Sequence, residues 1–140
     1  MTRKKASISE QDYLERIYEL IQEKGYARAV DIAEELGISQ PSVTSMVQKM
    51  ASSGLVNYEK YRGLTLTQEG KTIAENIQIR HRILIRFLSG IGVSQKTQER
   101  DIEGLEHHLS EETISALKSL SDYLESRPDI VKEFRKTETK

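Results

Sequence analysis

The sequence predicts an all-α protein with one small β-hairpin: a winged helix-turn-helix followed by a helical dimerisation domain. Three observations carry that expectation. Apolar residues recur at helical spacing through most of the 140 residues. The stretch Ala29 to Thr44 has the small residue, turn glycine and cap of a helix-turn-helix. An alternating run on either side of Tyr61-Arg62-Gly63 reads as a hairpin. The expected boundary places the winged unit in residues 1–70 and the helical domain in residues 71–140.

In chain order, a first helix is expected from Ser9, as N-cap, to Lys24, with Gly25 stopping it. Its apolar stripe is Leu14, Ile17, Tyr18 and Ile21. Asp12 and Glu15, spaced i,i+3, share a face on the opposite side of that stripe. In the next pair of helices, Ala33 allows close approach, Gly37 permits the turn and Ile38 plugs the joint. Ser39 caps the second of these helices, and Pro41 is tolerated in its first turn. Val43, Met46, Val47 and Met50 then face inward, while Ser39, Gln40, Ser42, Thr44, Ser45 and Gln48 face out. Gly54 ends it, and Leu55–Lys60 and Leu64–Thr67 flank the hairpin tip. Thr67 opens a long helix to about Leu88, punctuated by Gly90 and Gly92. Further helices are expected over 94–108, over 111–125 with Ser110 as cap, and after Pro128.

Composition excludes several classes of function. The chain has no cysteine, so it has no disulfide framework, no zinc-thiolate site and no thiol chemistry; any metal must be held by oxygen and imidazole. No apolar run approaches the roughly 20 residues that span a bilayer, and the Lys-rich start is followed by no hydrophobic segment. A cytoplasmic protein with no membrane partner is expected. The formal net charge of −1 argues against indiscriminate nucleic-acid binding. Positive charge toward DNA must be local or supplied by something bound.

The second helix of the motif presents small polar side chains, which suit the donor and acceptor pattern of a major groove. Ser39, Gln40, Ser42 and Thr44 are therefore candidates for base edges or nearby phosphates. Lys49, the hairpin-tip residues Lys60, Tyr61 and Arg62, and Arg28 before the first helix of the motif are candidates for phosphate contacts. For each, the alternative is an ordinary solvated side chain.

A second constellation lies late in the chain, in Asp101-Ile102-Glu103-Gly104-Leu105-Glu106-His107-His108. On a helix, Glu106 falls roughly 60° from Glu103 on one side and His107 roughly 40° on the other, while His108 points roughly 140° away. Two carboxylates and an imidazole on one face suit a hard-to-borderline divalent ion. His81 sits on the otherwise apolar stripe Ile73, Ile77, Leu84, Leu88, where a lone histidine is more often core than ligand. The Asp12/Glu15 face has an equally ordinary reading as a solvated acidic patch.

Together these segments resemble the diphtheria-toxin-repressor family of metal-dependent regulators over nearly the whole chain. The resemblance is carried by Glu23-Lys24-Gly25-Tyr26-Ala27-Arg28, Tyr58-Glu59-Lys60-Tyr61-Arg62-Gly63-Leu64 and Glu103-Gly104-Leu105-Glu106-His107-His108-Leu109-Ser110. It implies that Asp12, Glu15, His81, Glu103, Glu106 and His107 ligate metal, with two carboxylate-bridged Mn²⁺ ions per subunit. Iron-responsive relatives carry Met and Cys where this chain has Asp12 and Glu103, and usually a C-terminal SH3-like domain for which these residues have no room. Both departures point to the manganese-responsive branch. Four carboxylates and two imidazoles suit Mn²⁺ on chemical grounds too, although Cd²⁺, Zn²⁺, Fe²⁺ or Co²⁺ are also accepted by such donors.

The implied function is a Mn²⁺-activated repressor of manganese-uptake genes, a homodimer binding a double-stranded operator with two half-sites. Its metal would bridge the DNA-binding and dimerisation halves. Ile83, Ile85, Phe87, Leu105, Ile114 and Leu117 offer apolar surface for the dimer. Two other readings use the same residues. One is a winged-helix regulator responding to a small organic ligand, without metal and with His81 in the core. The other is a binuclear metal hydrolase, for which no separate nucleophile or general base is evident.

Overall fold

The computed structural model describes residues 6–59 and 63–138. Their order is α1 (Ile8–Lys24), α2 (Ala29–Leu36), α3 (Gln40–Ser52), β1 (Val56–Glu59), β2 (Gly63–Leu66), α4 (Gln68–Gly90), α5 (Gln95–His108), α6 (Glu111–Ser126) and α7 (Pro128–Lys136). The expected all-α class with a hairpin wing is the observed one. Two compact units result, Met1–Ile77 and Gln78–Lys140, and the division falls inside α4.

The first helix starts earlier than its sequence suggests. Ser7, not Ser9, is the cap: its Oγ accepts from the Glu10 amide at 3.1 Å, and Glu10 Oε1 accepts from the Ser7 amide at 3.1 Å. The glutamate three residues after Ser7 closes a reciprocal capping box, which leaves Ser9 inside the first turn of the helix. The buried face of α1 is also wider than the apolar stripe. It takes in Glu10, Gln11, Glu15 and Leu20, and leaves Tyr18 and Ile21 half-buried. Asp12 is half-buried and Glu15 is buried, so neither belongs to an outward, solvated patch.

Gly37, in the left-handed region at φ 65, turns the chain from α2 toward α3, and Ser39 Oγ caps α3 by accepting from the Ser42 amide at 3.3 Å. Val43, Val47 and Met50 are buried, with Met46 packed at their edge. They join Leu14, Ile17, Ile32, Leu55, Val56 and Leu64 in the core of the first unit. The hairpin is antiparallel, pairing Val56 with Leu66 and Tyr58 with Leu64. Leu64 N also donates to Ala27 O at 2.7 Å, which ties the wing to the loop before α2. Thr67 Oγ1 accepts from the Gly70 amide at 3.1 Å and donates to Gly54 O at 2.7 Å, so one hydroxyl both caps α4 and fixes it to the end of α3.

The second unit has a leaner core. Leu84, Ile102 and Ile114 are buried, with Ile83, Leu88, Leu109 and Leu117 packed against them. Ser94 and Ser110 cap α5 and α6 through the Thr97 and Thr113 amides. Gln98, buried near the start of α5, donates to Val93 O at 2.7 Å and to Ser89 Oγ at 3.1 Å. Of the six residues expected to supply apolar surface for a dimer, Ile114 is in the core, Ile83, Phe87 and Leu117 are half-buried, and Ile85 and Leu105 are exposed. Leu120, Tyr123 and Phe134 add exposed apolar surface on α6 and α7.

Candidate metal centre and nucleic-acid interface

Three of the candidate ligands meet within the second unit. His81, on α4, places Nδ1 2.8 Å from Glu106 Oε2, on α5. The other oxygen of Glu106 lies 3.7 Å from His107 Nε2. Two imidazoles thus flank one carboxylate, and their ligand atoms lie within 4.8 Å of it. Glu106 and the His107 side chain are buried, 3% and 2% exposed, whereas the His81 side chain is 45% exposed. His81 is therefore not a core histidine, despite its place on an apolar stripe. A buried carboxylate is costly unless it is paired, hydrogen-bonded or metal-bound, so a pair of imidazoles around it is a chemically specific arrangement.

The helix end that carries this group is held from α4. Arg80 Nη1 donates to the carbonyl oxygens of Leu109 and, at 3.4 Å, Glu106. Sequence reading missed Arg80, because its significance depends on where α5 ends in space. Glu103 and His108 are exposed on α5, while Asp12 and Glu15 lie on α1 in the first unit, half-buried and buried. The donor set fits a divalent cation: imidazole nitrogens and carboxylate oxygens without sulfur suit Mn²⁺ and related ions.

The first unit presents the other candidate surface. Ser39, Gln40, Ser42 and Thr44 are all exposed along the start of α3, and Lys49 is exposed in its last turn. Arg28, also exposed, lies with Cζ 4.8 Å from the centroid of the Tyr26 ring, which orients its guanidinium by a cation–π contact. Lys60, Tyr61 and Arg62 lie outside the described residues. Tyr58, 68% exposed on β1, was not singled out from sequence. Strand alternation would put Tyr58 on the same face as the buried Val56, so no periodicity in the sequence marks its exposure. With Arg28, Thr44, Gln48 and Gly63, Tyr58 lines a groove of about 590 Å³ between α3 and the wing. An exposed polar helix beside a groove rimmed by Arg and Tyr has the chemistry to read base edges and hold phosphates.

Known proteins bear on both surfaces. Residues 5–64 match the family described as iron dependent repressor, N-terminal DNA binding domain. Residues 67–135 match iron dependent repressor, metal binding and dimerisation domain. The chain is 47% identical over 131 residues to the HTH-type transcriptional regulator MntR of Lysinibacillus sphaericus (strain C3-41), covering 94% of each. It is 50% identical over 117 residues to the regulator of the same name from Geobacillus kaustophilus (strain HTA426), covering 84% of this chain and 83% of that one. Among solved structures, the manganese regulator SloR superposes with a TM-score of 0.72 at 30% identity, covering 88% of this chain and 55% of SloR. ScaR with bound Cd²⁺ superposes with a TM-score of 0.71 at 30% identity, covering 81% of this chain and 54% of ScaR. The chain thus spans about half the length of these two solved proteins.

Proposed function

This chain belongs to the iron-dependent-repressor family, the family of the diphtheria-toxin repressor and MntR, and from that premise we propose that it is a Mn²⁺-activated repressor of manganese-uptake genes. It is a metal-dependent, DNA-binding transcriptional repressor and not an enzyme, as its relatives are transcriptional regulators. That excludes the hydrolase reading. A regulator of the same fold answering to an organic ligand is disfavoured by the match of residues 67–135 to a metal-binding domain.

The observation that carries the proposal is the His81–Glu106–His107 group, two imidazoles around a buried carboxylate. We assign Asp12, Glu15 and Glu103 to the same ligand set on family resemblance, for four carboxylates and two imidazoles holding two Mn²⁺ ions per subunit. The absence of sulfur and the preponderance of oxygen favour Mn²⁺ over softer ions. The name of SloR as a manganese regulator agrees, and the Zn²⁺- and Cd²⁺-bound forms of ScaR support occupancy by those ions in relatives.

In this reading residues 1–70 bind DNA, residues 71–140 bind metal and dimerise, and the metal joins ligands from both. The first unit supplies Ser39, Gln40, Ser42 and Thr44 to base edges or nearby phosphates in the DNA major groove, and Arg28, Lys49 and the wing to phosphates. A homodimer presents two α3 helices to operator half-sites roughly 34 Å apart, and metal favours the arrangement that fits them. Two divalent ions also take the formal charge from −1 to roughly +3, which eases approach to a polyanion. No helix among the described residues is long and apolar enough to cross a membrane. As a DNA-binding regulator, the protein acts in this reading where the DNA is, in the cytoplasm.

The test is retention of genomic fragments by the protein with Mn²⁺ and again with chelator. Specific fragments should be retained only with Mn²⁺, and His81→Ala should lose that retention. Equal binding under both conditions removes metal from the mechanism.

A further inference from the structure

We infer that Arg80 is a positioning residue for the metal site, gripping the end of α5 so that Glu106 and His107 are held in place before metal arrives; the inference rests on the metal-activated reading above. The last carbonyls of a helix have no partner within it. At the end of α5, Leu105 O accepts from Leu109 N, and the Arg80 guanidinium reaches the carbonyl of Glu106 and that of Leu109 just beyond. A cation at a helix C-terminus is favoured both by these hydrogen bonds and by the helix dipole.

The neighbouring residue acts on the same target. Arg80 takes the backbone of Glu106 while His81 takes its carboxylate, so two consecutive residues of α4 fix one residue of α5 at both ends. His107 follows in the same turn. Without Arg80 the last turn of α5 is free to fray, and fraying there displaces two ligands at once. Partners that orient ligands typically contribute tenfold to a hundredfold in metal affinity.

The experiment is a Mn²⁺ titration of the full chain, reading free Mn²⁺ by its electron paramagnetic resonance, alongside thermal unfolding of the metal-free protein. Arg80→Ala should weaken Mn²⁺ binding by about tenfold to a hundredfold, and Arg80→Lys, which keeps the charge but not the fork, by less. Gln98→Ala breaks the link of α5 to α4 at the opposite end of α5 and should change affinity by less than about threefold, at a comparable loss of unfolding temperature. Affinity within about threefold of the parent in Arg80→Ala, or an equal loss in Gln98→Ala, overturns the inference. If Arg80→Ala does not fold, Arg80→Lys decides by the same criterion. A His81→Ala variant that binds Mn²⁺ at full strength sinks instead the underlying reading of the site.

Discussion

At Gly70 two effects of an added methyl group oppose one another, and their magnitudes decide the outcome. Alanine is a better helix former than glycine by about 1 kcal/mol. Yet a Cβ at Gly70 would collide with the backbone oxygen of Leu55 and press on Leu14 at 3.4 Å, because Thr67 draws the start of α4 against the end of α3. Overpacking against backbone costs about 1–3 kcal/mol, so Gly70→Ala should destabilise the chain by chemical denaturation. Gly104, in mid-helix with open space around it, provides the contrast: Gly104→Ala should stabilise the metal-free protein by about 0.5–1 kcal/mol. Neither result is legible from glycine content alone. The sequence marks both residues as helical but does not say what approaches them. The same limit applies to His81, whose apolar stripe suggests a core position although nearly half of its side chain meets solvent.

At the scale of elements, the caps and the charge pairs were unequally legible. Ser39 and Ser110 could be found from pattern, as each precedes a helical run and has a hydrogen-bonding residue three positions on. Ser7 was missed because Ser9 has the same chemistry, and only the reciprocal bond to Glu10 distinguishes them. Removing the cap of the reading helix should be felt twice. Ser39→Ala should cost about 1 kcal/mol in unfolding free energy and weaken DNA binding beyond that loss, as the exposed Ser39 is also a proposed DNA contact. The link between α4 and α6 was invisible in the sequence, since Arg86 lies 36 and 39 positions from its partners Asp122 and Glu125. Its guanidinium holds both carboxyls below their ordinary range by hydrogen bonding. A lowered folded pKa contributes stability above the ordinary carboxylate pKa and loses it as pH falls through the lowered value. The stability difference between the parent chain and Arg86→Ala should therefore be full near neutrality, shrink in acid below the ordinary carboxylate range, and shrink with added salt. A difference that grows in acid would contradict the assignment.

For the molecule as a whole, fold class could be read from local pattern, because capping, turn chemistry and helical period are local properties, whereas the candidate metal ligands needed the family resemblance beside their spacing. The grip of Arg80, the wide buried face of α1 and the groove beside Tyr58 arise from packing between elements, which no local window contains. The same distinction applies to the two cores. The first unit buries thirteen hydrophobic residues in its cluster and the second three, among the described residues. A unit with few buried apolar contacts opens at lower free energy, and anything that binds only its closed form raises that free energy by mass action. Limited proteolysis of the metal-free protein should cut within 78–138 before 6–59, and Mn²⁺ should slow the first cuts; early cuts confined to 6–59 would refute this. The lean second core then has a consequence for the cell's inventory of the regulator. A chain emptied of metal is also the chain most exposed to degradation, so scarcity would shorten its survival as well as silence it.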